Sequence, residues 1–515
     1  MATVARGMTS GRPAGRAQQA LPTVLFLIAA VIILGACATN AAIGHWAHQP
    51  NRDLFQHMAA LRSLIADLGH PTNPFVNSAE TSRHFHPYWV AIAALARGFG
   101  WTMHTTVAVA GFISLTALGA GYYLFGRSYF RSDWGPLALL LTSMLAWSFP
   151  ISHTGYVNIP TLVEGAAYPA ALLVGLSLIL WALVIEGFRR PWLITAIPFL
   201  AAFMFATHQL GAGLGFIVAF CLIASWPTDG ARQRWVMAFA ILAGVAMSSL
   251  WPYFNPIEAV IRAGNPNWRG GIEWYTPVFF LGIFVPGVIG IWGLIHPYQA
   301  GTGRPLLIAL PILLGGFAAG AFGFLTGTRF APTAVLLMQI GLAAILVRYL
   351  EQPEEHSERF RKIAVGMIFG ILLFQLITLG LILYPKESRG QRRYGSVVTA
   401  GAELTSDIPD KQEVAAYDVA AWPLVGQGQR TLSVPWPEPF IGDLADRQDK
   451  VDDLFNVWIS KSERIALAKR YRVRTLILDQ RFGPGKPWRR WQLRILIGQA
   501  KASERSGPMW RFDLY

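Results

Sequence analysis

The feature that most restricts this 515-residue chain is a series of apolar runs, each about as long as a bilayer-crossing helix. They lie near 22–42, 105–125, 134–150, 164–186, 191–207, 209–226, 235–253, 275–296, 304–325, 330–350 and 362–384. About 20 helical residues span the hydrocarbon core of a membrane. Composition agrees: only 14% of the residues are charged, against about 25% in ordinary soluble proteins. The 19 Trp and 31 Phe suit interfacial belts and packed membrane helices. The fold expected is a polytopic α-helical membrane protein.

The cations set its orientation. Arg6, Arg12 and Arg16 precede the first run, and Arg127, Arg131, Arg189, Arg190, Arg232, Arg234, Arg304, Arg359, Arg361 and Lys362 fall in every second loop. Positive loops stay cytoplasmic, so the tail 1–21 is cytoplasmic and an odd number of spans puts everything after Tyr384 outside. The same distribution argues against nucleic acid as the partner of the net charge of +14. Three parts result: the tail, a membrane domain 22–384 with a long outer loop at 43–104, and an extracytoplasmic region 385–515. In the last, QRTLSVP and VRTLILD read as strands and KSERIALAKRY as a helix capped by Ser462, a small α/β domain. Cys37 and Cys221 both sit in apolar runs, so no disulfide framework or zinc spacing exists. Cys37 closes LGAC, similar to a lipoprotein cleavage site, but reads better as a small residue in the first span.

The outer loop holds the unusual chemistry. NRDLFQHMAAL opens a helix over 53–68 on which Leu54, Met58, Leu61, Ile65 and Leu68 make one apolar stripe. Asp53 and His57 fall on an adjacent face, so the helix reads as amphipathic and lying on the membrane surface. Asp53 near a helix N-terminus is favoured by the dipole, and a plain capping role would explain it too. Six of the eleven histidines, His45, His48, His57, His70, His84 and His86, crowd into this loop. The loop ends in His84-Phe85-His86-Pro87 and a second amphipathic helix.

An acid at the start of a surface helix in the first outer loop, then the HPYW step at 86–89 into a second surface helix, resembles the GT-C superfamily of integral-membrane glycosyltransferases. GAAYPAALLVGLSLILWAL at 165–183 and GTRFAPTAVLLMQIGLA at 327–343 look like helices of that family. The resemblance implies a GT-C-like membrane domain of about 11 transmembrane helices, a polyprenyl-phosphate sugar as donor, a lipid, glycan or protein acceptor, and inversion at the sugar. It also implies a bacterial inner membrane, and a catalytic acid that Asp53 matches by position. Many members carry paired acids, whereas Asp53 is followed by Leu54.

Glycosyl transfer from a lipid phosphate needs a carboxylate to take the acceptor's proton, cations to hold the phosphate and an apolar groove for the chain. Asp53 is the candidate base, with His57 one turn on to orient it or bind the acceptor. Arg329, at a membrane helix boundary, is the first candidate for the phosphate, against a plain snorkelling role. Arg262 and Arg269, in the outer loop with Trp268 and Trp274, come next. Glu164 and His208, at outer helix ends, are further substrate-binding candidates because ionisable groups there are costly. His84 and His86, with Glu80 close in sequence, suit polar contacts to sugar or phosphate. They are weaker candidates for a divalent metal cation, since His-x-His alone is a poor signal. WPEPF at 436–440 reads equally as a turn or as a reactive segment. The competing reading is a transporter or flippase for a lipid-linked substrate, which predicts mid-span charges and often an internal repeat. A non-catalytic scaffold would leave the loop's acid and histidines unexplained.

Overall fold

The computed structural model describes residues 16–40, 52–147, 155–228, 230–262, 280, 282–295, 301–322, 327–351, 370, 373, 377, 400–409, 412–436, 438–482 and 487–515. Arg269, Trp268, Trp274, His45, His48 and almost all of the run at 362–384 lie outside them.

The chain opens with α1 (Arg16–Asn40), and the first loop carries α2 (Arg52–Ala66) and α3 (Pro87–Phe99). There follow α4 (Met103–Phe130), α5 (Gly135–Leu145), α6 (Ile159–Gly165), α7 (Pro169–Gly187), α8 (Ile197–Thr207), α9 (Gln209–Ser225), α10 (Ala231–Ser248) and α11 (Pro256–Arg262). The membrane part closes with α12 (Phe284–Ile295), α13 (Arg304–Ala321) and α14 (Ala331–Glu351). Among the described residues five segments are long and apolar enough to cross a membrane: Ala20–Thr39, Met103–Phe130, Pro169–Gly187, Arg304–Ala321 and Gly327–Glu351. Gly135–Leu145, Pro191–Thr207 and Gln209–Ser225 are apolar but shorter. α8 and α9 meet at His208, whose extended backbone (φ −160°, ψ 94°) breaks what would otherwise be one helix. α4 and α7 touch backbone to backbone: a Cβ on Gly121 would lie 2.6 Å from the Gly175 carbonyl oxygen, so only glycine permits this approach. Cys37 is fully buried inside α1.

The last third forms a five-stranded mixed sheet. Its strands are β1 (Glu413–Ala416), β2 (Arg430–Thr431), β3 (Thr475–Asp479), β4 (Ala502–Ser506) and β5 (Met509–Asp513), in the order β2-β1-β3-β5-β4. β1 runs parallel to β2 and β3, whereas β5 is antiparallel to β3 and β4. Every residue of β3 is buried, as expected of a central strand covered on both faces. α15 (Ala421–Gln427), α16 (Leu444–Phe455), α17 (Lys461–Arg470) and α18 (Arg490–Gln499) surround the sheet. The cap of α17 is Ser460 rather than Ser462. Ser460 has the extended backbone a cap needs, and its Oγ accepts from the Glu463 N–H at 3.2 Å, while Ser462 already lies inside the first turn. Of QRTLSVP only Arg430 and Thr431 pair as a strand.

The first loop and this C-terminal unit are joined through one core. α2 turns its expected stripe, with Leu54 and Leu61 fully buried, toward the membrane helices. Its other side is covered as well: Ala59 packs with Phe75, Val76, Val425, Val434, Trp436 and Ile441. Phe55 presses on α15 so closely that a Cβ on Gly426 would lie 2.4 Å from its ring. Hydrogen bonds fasten the same seam. Arg62 Nε donates to the Gly426 carbonyl (2.9 Å), Thr431 N–H to the Phe75 carbonyl (2.9 Å) and Arg430 Nη2 to Thr72 Oγ1 (2.7 Å). Buried on both sides, α2 is held far more firmly than a helix lying on a membrane surface.

Candidate active site

Asp53 stands in the first turn of α2, one residue inside the helix, where the dipole favours its carboxylate. Its charge acts on Arg329, His84 and Tyr168, so groups more than a hundred residues apart in sequence lie within electrostatic range of it. Tyr168 is hydrogen-bonded to the Leu54 backbone, and Glu164, exposed at the end of α6, also acts on it.

Three histidines of this region are held in the same tautomer. Nδ1 of His57 accepts from the Trp89 indole at 3.0 Å, and Nδ1 of His86 accepts from the Trp89 backbone N–H at 3.3 Å. Nδ1 of His208 accepts from the Gly211 N–H at 2.9 Å. These partners can only donate, so each neutral ring carries its proton on Nε2. Sequence explains two of the three locks: His86 and His208 are N-caps, and capping requires an acceptor. Pro87 at the first helical position fixes where α3 begins. Burial pulls His57 well below the usual imidazole value, helped by the positive fields of His84, His86, His208 and Arg83. Burial does the same to His86, whose Nε2 has no hydrogen-bond partner in the described structure. With Nδ1 occupied, the rings of His57, His86 and His208 offer Nε2–H as a donor.

His84 differs. It lies buried between the carboxylate of Glu438 (Nδ1 to Oε2, 3.2 Å) and the side-chain amide of Gln56 (Nε2, 3.1 Å). Among the described residues no three His, Cys, Asp or Glu side chains come together to hold a metal ion. His84 and His86 both have Nδ1 engaged in hydrogen bonds, and Glu80 is turned away, accepting from the Gly442 N–H at 3.1 Å.

Arg329 lies in a single 3-10 turn, Gly327–Phe330, that leads into α14. Together with His208 it lines an open groove bounded by α7, α9 and α14. The walls are Ala170, Leu173, Val174, Trp181, Leu210, Leu214, Pro332 and Leu336, with Ser177 and Thr333 as polar side chains among them. An apolar trough with a guanidinium in its lining suits an amphiphile with an anionic head.

The structure thus brings Asp53, His57, His84, His86, His208 and Arg329 together, with Glu164 at their edge. Arg262 is not among them: it pairs with Glu258 (2.5 Å) on α11 and lies over the Phe440 ring. Glu438, Gln56, Trp89 and Arg83 belong to the site yet carried no signal strong enough in sequence. The buried acid of WPEPF was the one clue, and its partners lie 354 residues away.

No protein-family model and no curated protein matches the chain. Solved structures do. The oligosaccharyltransferase of Archaeoglobus fulgidus superposes with a TM-score of 0.53 at 11% identity, over 90% of this chain and 70% of that one. The same archaeon's AglB, solved in complex with an inhibitory peptide and a dolichol-phosphate, gives 0.54 at 11% identity over the same shares. The arabinofuranosyltransferase AftD from Mycobacteria gives 0.58 at 14% identity and covers 95% of this chain, which spans only 40% of AftD. At these identities the likeness is one of fold: the chain has a GT-C fold like that of these oligosaccharyltransferase and arabinofuranosyltransferase structures.

Proposed function

We propose that this protein is a membrane glycosyltransferase that moves a sugar from a polyprenyl-phosphate donor to a lipid, glycan or protein hydroxyl. The observation that carries the reading is that the Asp53 charge acts on Arg329, whose side chain lines the apolar groove. Asp53 removes the acceptor's proton as its oxygen attacks the anomeric carbon. The bond from that carbon to the phosphate oxygen breaks, polyprenyl phosphate departs with the electron pair, and the configuration inverts. Arg329, with the His208 Nε2–H beside it, receives the leaving phosphate, and the groove holds the chain. His57 and His86 offer further neutral donors to sugar or phosphate oxygens. AglB, a neighbour in fold, was solved with a dolichol-phosphate and an inhibitory peptide, which supports a lipid-linked donor here. The loop cations support a cytoplasmic N-terminus and a reaction on the outer face; the apolar runs support about eleven spans, and the family resemblance a bacterial inner membrane.

The test compares cells carrying the wild type, a deletion and Asp53→Asn at matched membrane expression, with lipid extracts read by mass spectrometry. Deletion and Asp53→Asn are expected to accumulate the same donor or to lose the same sugar. A wild-type profile for Asp53→Asn beside a deletion phenotype would overturn the reading and favour the transporter.

A further inference from the structure

Glu438 is the acid left over by the proposed chemistry. It sits in the loop after β2, its side chain wholly excluded from solvent. Its Oε1 accepts from the Arg83 N–H at 3.3 Å, and its Oε2 accepts from Ser82 Oγ at 3.3 Å and faces His84 Nδ1 at 3.2 Å. Burial works to raise this carboxyl, but its bonds to His84 and Arg83 outweigh it, so the net shift is downward and it stays ionised. An ionised carboxylate only accepts, so His84 Nδ1 carries the proton. Burial outweighs Glu438 at the ring itself and moves His84 below its usual value, toward the neutral form. The atom set 3.1 Å from His84 Nε2 is Gln56 Oε1, but Nε2 of a neutral ring that carries its proton on Nδ1 only accepts, so the amide is read the other way round, with its NH₂ toward the ring. The two ends of a glutamine amide are assigned from such a network.

Gln56 is three residues after Asp53 on α2, 8% exposed, and its other amide end has no protein partner among the described residues. We infer that Glu438 is a positioning residue for the transfer site: it fixes His84, His84 holds the Gln56 NH₂, and the Gln56 carbonyl oxygen is thereby presented beside Asp53 to a substrate hydroxyl. This rests on the glycosyl-transfer reading and adds a recognition group for it. Gln56 receives a sugar or acceptor O–H, and the carboxylate that sets its direction comes from the C-terminal unit. That unit is therefore part of the active site, clasped to the first loop through Phe75, Arg62 and Glu80.

The test uses the full chain in membrane vesicles of the deletion strain, with the initial rate of product formation followed by mass spectrometry. Binding of undecaprenyl phosphate to the purified protein in detergent is measured in parallel with its thermal midpoint. Glu438→Gln is expected to lower the rate about a hundredfold, the scale of a misplaced positioning group, with undecaprenyl phosphate affinity unchanged and the rate falling further than the drop in thermal midpoint explains. Gln56→Leu is expected to do the same, and the Glu438→Gln/Gln56→Leu double variant to be no slower than the slower single, because the two act in series. A wild-type rate for either single variant, losses that multiply in the double, or a rate that falls only as the midpoint falls would each overturn the inference. Should Glu438→Gln not accumulate, Gln56→Leu alone decides it by the same rate and affinity criteria. Asp53→Asn runs alongside: if it keeps the wild-type rate, the glycosyl-transfer reading itself fails. If it is inactive while Glu438→Gln and Gln56→Leu keep theirs, only the positioning inference fails.

Discussion

The indole Nε1–H of Trp89 donates to Nδ1 of His57 at 3.0 Å. That one bond decides which nitrogen of His57 can act, because an indole never accepts. Trp89→Phe keeps an aromatic ring in a fully buried position but frees the imidazole to exchange tautomers. The expected result is a loss of about 1–3 kcal/mol in stability, from the missing bond and the smaller ring. Turnover should drop by more than the stability change explains, as shown by comparing denaturant unfolding with the transfer rate.

Arg329 should bind the lipid phosphate through a planar, bidentate contact that an ammonium does not reproduce. Arg329→Gln is expected to weaken undecaprenyl phosphate about tenfold to a hundredfold, from the loss of about 1.5–3 kcal/mol of charged hydrogen bonding. Arg329→Lys should fall between the two. Titration of the purified protein with undecaprenyl phosphate checks this, and an unchanged affinity would leave Arg329 as a snorkelling residue only.

Acid should destabilise the fold through its buried histidines. Burial holds His57 and His86 well below 6.5, so below that pH the unfolded chain takes up protons that the folded one refuses. Stability is therefore full above about pH 6.5 and is lost as pH falls, by up to about 1.4 kcal/mol per pH unit for each such histidine. The thermal midpoint of wild type should drop between pH 7 and 5. His86→Gln should drop with a shallower slope, and parallel curves would show that His86 titrates normally.

Gly426 tests the seam between α2 and α15. A methyl group there would lie 2.4 Å from the Phe55 ring and 3.1 Å from its Cβ, so Gly426→Ala must push α2 aside. The expected cost is about 1–3 kcal/mol, together with a fall in transfer rate, because Asp53, Gln56 and His57 all ride on that helix. Adding Phe55→Leu should recover part of both. Recovery of stability without recovery of rate would separate packing from positioning.

The α3 start at His86-Pro87, the β3 strand and the helix carrying Asp53 were legible in sequence because each is set locally: a cap with proline behind it, a short apolar β-rich run, a 3.6-residue stripe. Asp53 and Arg329 stood out as candidates for a related reason, since an ionisable group at a membrane boundary has few structural reasons to be there. Arg262 misled because its partner Glu258 and the Phe440 ring satisfy it away from the site. Length and apolar periodicity thus determined a membrane chain with a polar outer loop. Which ring nitrogen His57 exposes, that α2 is covered on both faces, and that Glu438 closes onto His84 were decided only when distant segments packed. Hydrogen bonds across 354 residues leave no local pattern in a sequence, because they depend on how separate elements meet, not on the composition of any one of them.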